Sequence, residues 1–173
     1  MKKKYNNAEF LINAINRFIQ DPKVSLPEEI FHFVSSITPL VCVDLLIRGE
    51  EGILLTWRED KFYGPGWHLP GGILRFKEKA YTRVLETSKK ELCVSVKEMS
   101  KKPINIAEQI NTKRDIRGHF IALLYECSID KNPSEKKRFN PDNKINGSWK
   151  WHDSFPKDMI NQHHIYEKFF KDF

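Results

Sequence analysis

The run Trp67-His68-Leu69-Pro70-Gly71-Gly72 is followed, after five residues, by Glu78 and then by a stretch of helical character that carries Glu91. Two glycines let the main chain approach a ligand closely, and their free carbonyls suit a hard cation that prefers oxygen ligands. A helix placed directly after them can add carboxylates to the same site. Asp44 lies inside the apolar run Leu40-Val41-Cys42-Val43-Asp44-Leu45-Leu46-Ile47, where an unpaired carboxylate is costly. It must therefore have a partner, either at a ligand site or as a structural hydrogen-bond acceptor. Arg58 ends the next apolar run and reads either as an anion contact or as a solvated strand end. Glu78 has two readings as well, one beside a metal and one in the first turn of its helix, where negative charge is favourable.

The elements that must carry these residues can be read from periodicity. Leu11, Ile15, Phe18 and Ile19 recur at helical spacing over residues 8–19, and Asp21-Pro22 stops the pattern. Ser25-Leu26-Pro27-Glu28 has the form of a capping box, which predicts a short second helix through Phe31 and Val34. The apolar run of 38–48 predicts a buried strand, and Gly49-Glu50-Glu51-Gly52 a turn into a partner strand over 53–57. Residues 78–91 put Ala80, Val84, Leu85 and Ser88 on one side of a half-buried helix. Further strands are expected near 94–98, 103–111 and 118–129. The polar stretch 130–147 reads as a long loop, a frequent form of ligand lid. A short strand at Trp149-Lys150-Trp151 and a helix around 156–170 complete the chain.

A length of 173 residues suits one domain, and 40% hydrophobic content supports a sizeable core. There is no apolar run of 18 residues and no secretory pattern at the N-terminus, which argues against a membrane span or secretion, and no membrane partner is expected. Cys42, Cys93 and Cys127 lie in apolar surroundings without metal or redox spacing. They read as buried reduced thiols and predict a cytoplasmic compartment. The charge of +6 suits a polyanionic ligand. Its clusters at Lys2-Lys3-Lys4, Lys89-Lys90, Lys101-Lys102 and Lys136-Lys137-Arg138 are scattered and lack interleaved aromatics, so no nucleic-acid partner is expected. Trp57, Trp67, Trp149 and Trp151 read as core or rim aromatics.

The glycine pair and the helix after it resemble the Nudix box, G-x5-E-x7-R-E-U-x-E-E-x-G-U with U aliphatic. Gly72, Glu78, Glu91 and Val94 match that pattern. Glu86 stands where Arg is expected, Thr87 and Lys90 stand at two Glu positions, Ser88 replaces the aliphatic residue and Cys93 the late Gly. Upstream, the segment from Leu26 to Asp44, with its Thr38-Pro39-Leu40-Val41 strand start, is similar to the opening of the GDP-mannose mannosyl hydrolase branch. That branch also has a box poor in carboxylates.

The resemblance implies an α/β fold, a Nudix-type α/β/α sandwich with a mixed β-sheet, over residues 26–173. Residues 1–25 would form an N-terminal helical extension. It implies a magnesium (Mg2+) dependent hydrolase that splits a nucleotide sugar into nucleoside diphosphate and free sugar, working as a homodimer. Its metal would be held by the Gly71 carbonyl and Glu91, with Glu78 as a further metal-side carboxylate. Asp44 and Arg58 match catalytic positions, Arg58 and Arg75 would bind substrate, and Lys61 is a further phosphate contact on spacing. The branch also takes a Gln ligand and a general-base His from the loop after a Pro-Asp pair. Here that loop reads Pro141-Asp142-Asn143-Lys144-Ile145-Asn146-Gly147, so both are missing. Asp142, His119 and His163 are the candidate bases by proximity to matched segments, although His163-His164 also reads as the surface of the last helix. Lys90 beside Glu91 would oppose metal binding. Two other functions stay open: a catalytically impaired module binding a nucleotide sugar or a protein, and a pyrophosphohydrolase attacking phosphorus.

Overall fold

The structure is a computed structural model and describes residues 3–60 and 62–171. Strand β1 (Leu40–Gly49) is its axis. It pairs in parallel with β7 (His119–Ile129), from Leu40↔Phe120 to Ile47↔Cys127. On its other side, the first half of β1 pairs antiparallel with β4 (Gly71–Ile73), and its end turns through Gly52 (φ +116°) into β2 (Gly52–Arg58). β3 (Gly66–His68) and β8 (Trp149–His152) pair with β2. β6 (Asn105–Ile110) and β5 (Val96–Met99) pair with successive parts of β7.

Both faces of β1 are covered, so its residues form one apolar run instead of an alternation. Val43, Leu45 and Ile47 pack with Val84 and Leu92 from the box helix. Leu46 packs on the opposite face with Tyr166 and Phe170 of the C-terminal 3₁₀ helix (Asn161–Phe170). A third cluster joins Leu40 and Cys42 to Phe120, with Phe31 of α2 (Glu28–Ile37) against it. Asp44 shares the parity of Leu46, which turns it toward the C-terminal helix.

Several local expectations change. Helix α1 spans Lys3–Asn16 instead of 8–19, and Leu11 within it and Phe18 after it are exposed. Ser25 does not cap α2: Pro27 holds that position without a side-chain bond, and Glu28 and Glu29 supply the favourable first-turn charge. The box helix is regular only over α3 (Ala80–Thr87) and continues as a π turn, Ser88–Leu92. Residues 158–160 do not join the last helix, because Trp67 N–H donates to the Asp158 carbonyl and Ile160 N–H to the Trp67 carbonyl. Cys93 is exposed, while Cys42 and Cys127 are buried, and all three are free thiols. Trp57, Trp67 and Trp149 are core residues. Among the described residues, no helix is long and apolar enough to cross a membrane.

Candidate active site

The β1/β4 ladder builds the floor of a cleft. Leu45 N–H donates to the Pro70 carbonyl and Leu74 N–H to the Val41 carbonyl. In an antiparallel ladder such bonded pairs alternate, so Val43 and Gly72 also bond while Asp44↔Gly71 is a non-bonded pair. The Gly71 carbonyl and amide therefore face away from β1. A side chain at Gly71 would meet Asp44 Oδ1 at 2.5 Å, and one at Gly72 would collide with Thr87 Oγ1. Both glycines are required by close approach.

Asp44 is only 4% exposed. Tyr166 Oη donates to its Oδ2 at 2.6 Å, and His163 Nε2 lies 3.8 Å from the same oxygen. Burial raises the Asp44 carboxyl to about 6 against the pull of the Tyr166 bond and the Arg58 charge. The π turn carries Glu91 back toward the Gly71 amide. Burial, together with the Asp44 charge, raises Glu91 to about 7, and Arg58 and the Gly71 amide lower it. Two raised carboxyls beside an outward-facing carbonyl form a cation-seeking set.

Arg58 ends β2. Its Nε donates to Asp60 Oδ2 at 2.6 Å, and its guanidinium lies 4.7 Å from the centre of the Tyr63 ring. Arg114 and Arg117 approach the same ring at 4.6 and 5.5 Å. Arg75 and Arg117 line the cleft with Arg58. The Nε atoms of Arg75 and Arg117 are buried and have no partner, so this wall is prepared for an anion. Sequence reading missed Arg117, Tyr63 and Tyr166. Their signal was weak, since no spacing ties the β6–β7 turn or the last helix to the box.

Glu78 sits in an enclosed ion pair. Arg83 Nε and one Nη each donate to its carboxylate at 2.8 Å, and Arg75 N–H donates at 2.9 Å. Burial would raise this carboxyl, but those bonds outweigh it and hold it below the usual range. With both oxygens engaged, Glu78 fastens the loop to α3. Arg83, one turn before the expected Arg position, takes the guanidinium role that Glu86 cannot. Lys90 is exposed, and Thr87 is buried with its hydroxyl unpartnered.

The candidate bases separate. Asp142 is exposed in the 130–147 loop, none of whose residues lines the cleft. That loop packs on β8, with Trp149 Nε1 donating to the Ser134 carbonyl and Phe139 N–H to the Trp149 carbonyl, so the lid expectation is not met. His119 pairs with Glu108 at 3.2 Å outside the cleft. His163 is buried in the cleft wall and is not surface, and Gln162 lines the cleft beside it. Lys61 lies outside the described residues.

No group of three or more His, Cys, Asp or Glu gathers to hold a metal among the described residues. A magnesium ion fits a poorer set, the Gly71 carbonyl and Glu91, with water or substrate oxygens making up the rest, as this ion usually accepts.

No family model matches the chain. Its frame is similar to the MutT NUDIX hydrolase from Burkholderia pseudomallei, with 20% identity, coverage of 76% of this chain and 97% of that one, and a TM-score of 0.59. It is also similar to a NUDIX hydrolase from Nitrosomonas europaea, at 16% identity, 78% and 71% coverage and a TM-score of 0.56. These likenesses establish the Nudix fold. In sequence, the chain is 32% identical over 114 residues to the low-salt glycan biosynthesis protein Agl8 of Haloferax volcanii, a match covering 63% of this chain and 71% of that protein. Identity at that level over most of the relative means that the chain belongs to the family of the glycan biosynthesis protein Agl8, built on a Nudix fold.

Proposed function

We propose that this protein is a magnesium-dependent hydrolase of a nucleoside-diphosphate derivative, specifically a nucleotide sugar of the GDP-mannose type, cleaved to nucleoside diphosphate and free sugar. The observation that carries the reading is the convergence of Asp44, Gly71 and Arg58 on one cleft, with Glu91 close enough behind its lining to feel the charges of both Asp44 and Arg58. The name of its glycan-biosynthesis relative fits a sugar-bearing substrate. Glu91 and the Gly71 carbonyl would hold the ion, which when bound neutralises charge on the departing diphosphate. Arg58, Arg75 and Arg117 bind the diphosphate oxygens, where charge-assisted bonds are strongest. Asp44 accepts a hydrogen bond from the hydroxyl or water at the sugar carbon. The same reading makes the chain a cytoplasmic homodimer without nucleic-acid or membrane partners, with residues 1–25 as an extension of the 26–173 domain.

The test is magnesium-dependent release of free sugar from GDP-mannose and related nucleotide sugars. Hydrolysis in ¹⁸O-labelled water should place label in the sugar, and label in a phosphate would refute attack at carbon. Glu91→Gln and Asp44→Asn should each lower kcat by roughly 10²- to 10³-fold. Thr87 and Lys90 at two carboxylate positions, together with the missing loop base, support a second reading, a binding module. Thermal stabilisation by GDP-sugars without any turnover would favour it.

A further inference from the structure

The two oxygens of Asp44 have different surroundings. Tyr166 Oη hydrogen-bonds Oδ2 at 2.6 Å, and His163 Nε2 faces the same oxygen at 3.8 Å, beyond hydrogen-bond distance. Oδ1 instead lies over Gly71. His163 and Tyr166 are three residues apart on a 3₁₀ helix, where that spacing eclipses side chains, so one face of the helix makes both contacts. The same His163 accepts the Leu69 N–H on Nδ1 at 3.0 Å. From the other side, His68 Nδ1 donates to the Leu69 carbonyl at 2.7 Å, and the Thr56 hydroxyl donates to His68 Nε2 at 3.0 Å. Two imidazoles thus hold the N–H and C=O of a residue two before Gly71. Burial keeps both rings neutral, as this donor and acceptor pattern needs. With Nδ1 accepting from Leu69 and Nε2 turned to Asp44, His163 has no free nitrogen to act as a base on water.

We propose that His163 and Tyr166 are positioning residues. One face of the C-terminal helix fixes Asp44 Oδ2 and the Leu69 amide, so that Asp44 Oδ1 and the Gly71 carbonyl are presented together to a hydroxyl-bearing, metal-complexed ligand. The inference rests on the reading of Asp44 given under Proposed function.

Three variants separate the two contacts. Tyr166→Phe removes only the donor to Oδ2, and should lower kcat at least tenfold with KM within twofold of wild type. His163→Asn sets an amide oxygen near the place of Nδ1, keeping the Leu69 bond and losing Asp44. It should lower kcat and leave magnesium affinity, read by calorimetry on the protein alone, unchanged. His163→Leu loses both contacts and should also weaken magnesium affinity about tenfold. An unchanged kcat in Tyr166→Phe, or equal magnesium affinity in wild type, His163→Asn and His163→Leu, overturns the proposal. Should the wild type turn over no nucleotide sugar, the functional reading fails alone, and the magnesium comparison still decides the positioning role.

Discussion

A methyl group added at Gly71 would stand 2.5 Å from Asp44 Oδ1 and 3.0 Å from the Val43 carbonyl, and neither atom is the end of a flexible chain. Gly71→Ala should therefore push Asp44 off its partners, lowering kcat at least a hundredfold and stability by about 1–3 kcal/mol, read by steady-state kinetics and urea unfolding. Arg83→Ala acts elsewhere. Its side chain and that of Glu78 are 8% and 13% exposed, so the variant leaves a carboxylate enclosed without its cation. A loss of about 3 kcal/mol is expected in the same unfolding assay, at the low end for broken enclosed pairs because the loop can open to water. At this scale the sequence revealed which residues matter more readily than what they touch. Asp44 announced itself as a carboxylate among aliphatics. Its partner Tyr166 lies 122 positions away, beyond any local pattern. Glu78 looked the same in sequence whether it held a metal or Arg83.

Six strands were legible because β-branched and apolar runs persist whatever covers them, whereas the three-residue strands β3 and β4, which frame the cleft, were too short to show a pattern. The ends of helices were not legible either. Residues 158–160 carry a helical pattern, yet their backbone groups are taken by β3. The box helix gives way to a π turn at Ser88, and such widenings leave no periodic mark. The turn ends at Cys93, which sits at φ +56° in the left-handed region where the box pattern expects Gly. A side chain there costs about 1–2 kcal/mol, partly offset by the entropy that Gly loses on folding. Cys93→Gly should stabilise the protein by about 0.5–1 kcal/mol in chemical denaturation. The same change would leave Glu91 in register.

For the molecule as a whole, the buried titratable groups pull in opposite directions as pH falls. His68, held down to about 3, and His152, held down to about 4, stay neutral in the fold but take protons when unfolded, so acidification below 6.5 costs stability. Glu91 works the other way. Its raised carboxyl binds a proton in the fold below about 7, whereas the unfolded chain binds it only near 4.5. In chelator-treated protein, the wild type should therefore gain on Glu91→Gln as pH falls from 7 to 4.5. The gain should be about 2 kcal/mol after allowance for partial solvent contact, measured by thermal melts across that range.

Of the chain's three thiols, two are sealed in the core, and burial pushes the Cys127 thiol up to about 12. Cys93 alone meets solvent, two positions beyond Glu91 on the turn that ends the box helix. A maleimide-linked fluorophore would accordingly couple to native protein at a single place, without mutagenesis. Its emission would then give an optical readout of cation and nucleotide arrival.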